Sequence, residues 1–250
     1  MNRQPAVAGS FYPANPEQLH LMLDQFLNDA ATDEKVPKAI IAPHAGYIYS
    51  GPIAASVYKR INPERISRVV LIGPSHRVAL RGLAASSAPA WRTPLGEVSV
   101  ACPNFVQISD AAHAQEHSLE VQVPFLQTVL GDFTLLPLVA GEASAEEVAE
   151  VLEKCWGGPE TLIVISSDLS HYENSETARA MDSAAAKAIM ALNPRGLDYD
   201  NACGLVPICG LLHMAKQKKM RAELVDLRNS GDTAGPRDSV VGYGAFAFYE

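Results

Sequence analysis

The chain has 250 residues, 48% of them hydrophobic and 19% charged, and its 20 basic against 28 acidic residues leave a formal net charge of −8. No Lys/Arg cluster runs longer than Lys216–Lys219, which excludes a nucleic-acid partner, and no apolar run approaches the ~18 residues of a membrane span. The first residues lack the apolar core of a signal peptide, so a soluble, cytoplasmic protein without a membrane partner is expected, as one domain over residues 1–250.

In chain order, Gly9-Ser10-Phe11-Tyr12-Pro13 reads as an irregular segment whose aromatics anchor it to the body. Asn15-Pro16-Glu17 opens a helix, with Asn15 as cap and Leu19, Met22, Leu23, Phe26 and Leu27 on one apolar face. Lys38–Ala42 is an apolar strand ended by Pro43 and followed by His44, and small residues from Gly51 to Tyr58 suit a helix lying close to a sheet. Tyr47 and Tyr49 either line a site or simply pack. Arg68–Gly73 is a second strand, running into Pro74-Ser75-His76; a strand near Gly82–Ala85 and a hairpin turning at Thr93–Gly96 follow.

A helix opens near His113, to be kinked or restarted by Pro124, with Glu116 and Glu120 on one face that is as readily a solvated surface as a functional one. Phe133–Ala140 is a strand, Ser144 and Glu147 form a capping box before a helix ending near Cys155, and Thr161–Ser166 is a strand that runs into Ser167-Asp168-Leu169-Ser170-His171. Glu176–Leu192 and a segment ending near Gln217 are helical, Cys203 stands near the second helix's N-terminus where the dipole favours thiolate, and strands at Arg221–Leu227 and Ser239–Tyr249 close the chain. This alternation predicts an α/β fold with a mostly parallel or mixed central sheet flanked by helices.

Three apolar strands thus deliver His44, His76 and Asp168/His171 to the carboxyl ends of a sheet, where open α/β sheets bind their ligands. The four cysteines show no CxxC spacing and are expected as free thiols. Imidazole and thiolate are ligands for zinc, iron and copper, so the sharp reading is a metal site on His44 and His76, with Cys203, Asp168, His171 and His117 all open as the third ligand. There is no GxSxG elbow and no phosphate-binding Walker loop, and Ser170, His171 and Asp168 lie too close in one loop to align as a triad.

Six ordered motifs, Ala8–Pro13, Ala42–Tyr47, Gly73–His76, Glu116–Glu120, Ser166–His171 and Cys203-Gly204, together resemble the MEMO family (the AmmeMemoRadiSam system protein B) over nearly the whole chain. The resemblance implies a fold similar to that of class III extradiol dioxygenases. It implies His44, His76 and Cys203 as metal ligands, Asp168 and His171 as pocket residues with His171 an acid/base, and His117 as a further pocket residue. It also implies a functional link to radical-SAM and AMMECR-like proteins, and in eukaryotic members both adaptor and metal-dependent redox roles. Those dioxygenases use two His and a carboxylate where this chain has Cys203, a softer donor that favours copper or zinc and would shift iron's potential, so ring cleavage is not inherited with the fold; the metal expected is iron or copper ahead of zinc. The expectation is an iron- or copper-dependent, dioxygenase-like oxidoreductase acting on an unidentified small molecule. A non-enzymatic peptide- or ligand-binding adaptor and a zinc hydrolase are the alternatives.

Overall fold

In the central strands successive residues face opposite sides of the sheet, and both sides are apolar because helices cover both. A computed structural model describes residues 1–33 and 35–250. Asn15 caps α1 (Pro16–Asp29) by accepting from the Gln18 N–H. The buried strand β1 (Ala39–Ala42) leads to α2 (Tyr47–Tyr58). This helix starts before the small-residue run because Tyr47 is fixed at both ends, its N–H donating to Phe11 O at 2.8 Å and its hydroxyl to Val121 O at 2.6 Å. Tyr47 therefore packs in the core and does not line the site.

Next come β2 (Arg68–Pro74), β3 (Leu83–Ala85), the hairpin of β4 (Ala90–Thr93) and β5 (Gly96–Val100), and β6 (Gln107–Ile108). The helix expected from His113 is three short ones, α3 (Asp110–Ala114), α4 (His117–Glu120) and α5 (Gln122–Leu130). Glu116 interrupts the first pair by folding its carboxylate onto the Ser118 N–H as a cap. The remaining elements are β7 (Thr134–Ala140), α6 (Ala145–Cys155) behind its Ser144/Glu147 capping box, β8 (Thr161–Ser166), β9 (His171–Glu173), α7 (Ser175–Met190), α8 (Leu205–Gln217), β10 (Arg221–Asn229) and β11 (Val240–Tyr249).

The sheet is mixed. Its main order is β10-β11-β1-β8-β2-β7-β3-β6, with β1, β8, β2 and β7 parallel and β11 and β3 antiparallel on either side. Ile40, Val69, Leu71, Leu135 and Val164 face the layer that includes α1, α2 and α5; Ile41, Val70, Ile72, Leu136 and Ile165 face α6, α7 and α8. Among the described residues no helix is long and apolar enough to cross a membrane.

The N-terminal segment is tied down by a buried ion pair. Arg3 Nη1 donates to Glu120 Oε2 at 2.7 Å while its other nitrogens donate to His113 O and Glu116 O, and Glu120 also accepts from the Ala6 and Val7 N–H groups and the Tyr12 hydroxyl. Glu116 and Glu120 are both 1% exposed, so their shared face is interior and the solvated-surface alternative is set aside.

Beside this network, burial lowers the His113 imidazole to about 4, against the hydrogen bond its Nε2 makes to Ala84 O. Between about pH 6.5 and pH 4 the unfolded chain binds this proton and the native protein does not, so His113 removes stability as pH falls through that window and removes none above it. His113→Gln, which can still donate to Ala84 O, is expected to flatten the loss by on the order of 3 kcal/mol. Urea melts of both proteins at pH 7 and pH 4 check this; parallel pH profiles would refute it.

Candidate metal centre

The strand order explains the convergence. Because β8 lies between β1 and β2, all three parallel, residues two past each strand end share one rim: His44 after Ala42, Asp168 after Ser166, His76 after Pro74. His117 arrives from α4. That helix rests on the end of β2 where Gly73 has no side chain: a Cβ there would lie 2.9 Å from Leu119 Cδ2 and 3.0 Å from Ser118 Oγ. Ser118 Oγ then donates to Pro74 O at 2.8 Å and fixes the contact.

The donor atoms of His44, His76 and His117 all lie within 4.8 Å of one another. The ring centroids are 5.3 Å apart for His44 and His76, 5.4 Å for His44 and His117, and 4.8 Å for the stacked His76 and His117. Cys203 stands beside the group, its Sγ 3.3 Å from His44 Nε2. His171 and Asp168 line the same cleft of about 710 Å³ with Arg77, Tyr172 and Tyr199 at its walls. All six residues singled out in the sequence therefore meet in one place. Phe11 tilts against His117 at 4.8 Å between ring centroids, so the N-terminal anchor also backs the site.

Hydrogen bonds settle which nitrogens are free. Ser166 Oγ donates to Ser118 O at 2.6 Å, so toward Gln122 Nε2 and His44 Nδ1 it accepts, which puts the proton of His44 on Nδ1 and leaves the Nε2 lone pair facing the group. His76 Nδ1 donates to Glu116 Oε1 at 2.9 Å, freeing its Nε2. Glu116 also accepts from the His76 and Ser118 N–H groups; these bonds and the His76 ring outweigh burial and hold it ionised, at about 2. An imidazole oriented through its second nitrogen by a carboxylate or hydroxyl is how metal-binding histidines are held. Buried His117 Nδ1 lies 3.4 Å from Glu116 Oε1 and has no hydrogen-bond partner. The donor set fits a metal ion.

Electrostatics agree. Burial, then the neighbouring imidazoles, holds His44 well below its usual 6.5, and burial takes His117 to about 4 and lowers His171, so these rings offer neutral nitrogen. Burial lifts Asp168 to about 7 against the His44 and Ala45 N–H groups that bond it. One sequence expectation is reversed: burial and the Asp168 charge push the Cys203 thiol up to about 12. The N–H of Gly204, the N-cap of α8, donates to Ser167 Oγ at 2.9 Å, and the lowering it exerts on the neighbouring thiol is smaller than the effect of burial and the Asp168 charge.

A family model described as "Memo: Memo-like protein" matches residues 3–247. The chain belongs to the Memo-like family. A MEMO1 family protein of Archaeoglobus fulgidus is 39% identical over 98% of this chain and 99% of its own length, and one of Aquifex aeolicus is 38% identical over 96% and 97%. Among solved structures, an uncharacterized Escherichia coli K12 protein aligns with 84% of this chain and 99% of its own at a TM-score of 0.45 and 11% identity, too distant to argue from. Within this Memo-like chain, Glu116 and Ser166 are the supports that sequence reasoning left unassigned. Only the ExS spacing of Glu116-His117-Ser118 hinted at a cap there.

Replacing Glu116 with Gln should lower metal affinity roughly 10- to 100-fold by removing the charge that orients His76. Chelator-competition titrations of zinc and copper measure it, and unchanged affinity would show that His76 is not held this way.

Proposed function

We propose that His44, His76 and His117 would hold a metal ion with Cys203 as a neighbouring fourth donor, and that this ion is iron or copper serving an oxidoreductase reaction on a small molecule. The observation that carries the reading is the set of three converging imidazoles, two of them, His44 and His76, oriented by hydrogen-bond partners on their other nitrogens. Cys203 adds a soft donor that suits copper and zinc and would shift iron's potential, the resemblance to non-haem iron dioxygenases is what puts a redox metal first, and a cleft of about 710 Å³ has the size of small-molecule sites. A bound iron or copper would supply redox chemistry and a position that polarises a substrate oxygen.

The chain's own residues supply proton handling. Asp168, near 7, holds or releases a proton on its carboxyl at neutral pH, while its backbone-bonded oxygen keeps the carboxyl beside His44. His171, neutral through burial, accepts a proton from a molecule in the cleft. Cys203, with a thiol near 12, gives up its proton only when a cation stands beside it.

Elemental analysis of anaerobically purified wild type beside Cys203→Ser, followed by oxygen uptake with added Fe(II) or copper, tests the reading. Stoichiometric iron or copper, depleted in the variant and accompanied by oxygen uptake, supports it. Stoichiometric zinc without uptake would replace it with zinc hydrolysis, for which three imidazoles are also a suitable set, and failure to bind any metal would leave an adaptor.

A further inference from the structure

The metal cleft does not end at its ligands. A second groove of about 320 Å³ adjoins it, sharing His76, Cys203 and Tyr199 as lining, and is otherwise walled by Val78, Leu80, Ala140, Val206 and Pro207 among others. Its backbone is closely fitted, since a Cβ on Gly141 would strike Leu80 O. Of its polar groups, Ser75 Oγ is committed to Val78 O at 2.6 Å. Among the described residues, and beyond the shared ones, Glu142 is the only ionisable side chain on the walls, and it disfavours an anion there. The two lobes thus differ in chemistry by degree: His44, His117 and Asp168, ionisable groups of the metal cleft, are absent from the second groove, whose own walls add aliphatic side chains beside the shared His76 and Cys203 and the carboxyl of Glu142.

We propose that the ligand of this site is a two-ended small molecule, with an oxygen-bearing head at the histidine group and an uncharged aliphatic tail passing Tyr199 into the Val78/Leu80/Val206 groove. The proposal rests on the metal-centre reading for its head and, for its tail, on the three residues, His76, Cys203 and Tyr199, that line both the cleft and the groove. Tail burial is a matter of apolar area, so affinity should rise with chain length until the groove is full. A head-binding site alone would be indifferent to length.

Straight-chain hydroxamates from acetohydroxamate to octanohydroxamate, titrated calorimetrically into metal-reconstituted protein, separate the two parts. Affinity is expected to rise by up to about fourfold per methylene group in the wild type. Val206→Asp, on the partly exposed first turn of α8, should abolish that rise while leaving acetohydroxamate binding unchanged. Methyl NMR shifts at Val78, Leu80 and Val206 should grow with chain length. Acetohydroxamate binding with a flat series, or a rise that survives Val206→Asp, would overturn the tail site while leaving the metal centre standing. Failure of acetohydroxamate to bind at all would overturn both.

Discussion

His44→Ala is expected to lose at least roughly 100-fold in metal affinity, since changing only the partner that orients a ligand already costs 10- to 100-fold. His44 is 2% exposed and bonded through Nδ1 to Ser166, so its ring is the most firmly oriented of the three. His76 is the safer second variant, because its ring is 30% exposed and its loss leaves a smaller hole. His117→Ala decides whether the group within 4.8 Å is the ligand set, and a loss matching that of His76→Ala is expected. Cys203→Ser should lose copper more than zinc, because it removes the soft donor and spares the imidazoles. Competition against a chelator of known affinity, with circular dichroism as the check on folding, reads all four. Wild-type affinity in His44→Ala and His76→Ala alike would end the case for a metal centre here.

What the sequence discloses of this site follows from the strands. An apolar run that stops at Pro43 or Pro74, or at Ser166-Ser167, is visible without a structure, and parallel pairing of β1, β8 and β2 carries the residues beyond those stops to one rim. His117 is different. Its place depends on Gly73 admitting α4 to the end of β2, a contact between segments with no pattern in common. The same holds for Arg3 and Glu120, which meet across 117 residues of chain. Glu116 and Glu120 at i,i+4 read as readily as a solvated face as a functional one, because spacing shows which residues share a face, not which way it points. Cys203 shows the limit of local rules. Proximity to a helix N-terminus predicts a thiolate, but desolvation beside the Asp168 carboxyl is the larger effect in the folded protein.

Glu120→Ala should destabilise the fold by about 3–5 kcal/mol, the usual cost of removing one partner from a buried ion pair. Arg3 and Glu120 have side chains only 5% and 1% exposed, so water cannot take over from either. Deletion of the carboxylate would strand the guanidinium's bond from Nη1 and also the Ala6 N–H, Val7 N–H and Tyr12 hydroxyl, which converge on its two oxygens at 2.6 to 2.9 Å. Glu120→Gln keeps an oxygen acceptor but loses the charge, so its cost should fall between that of the wild type and that of the alanine variant. Urea denaturation at pH 7 measures both. The site should feel the change as well: Glu120 holds the segment through Val7 and Tyr12, the intervening turn carries Phe11, and Phe11 packs on His117. Reduced metal affinity in Glu120→Gln under conditions where it remains folded is therefore the expected second effect. A variant that loses stability without losing affinity would mean that His117 is held by α4 and Gly73 alone.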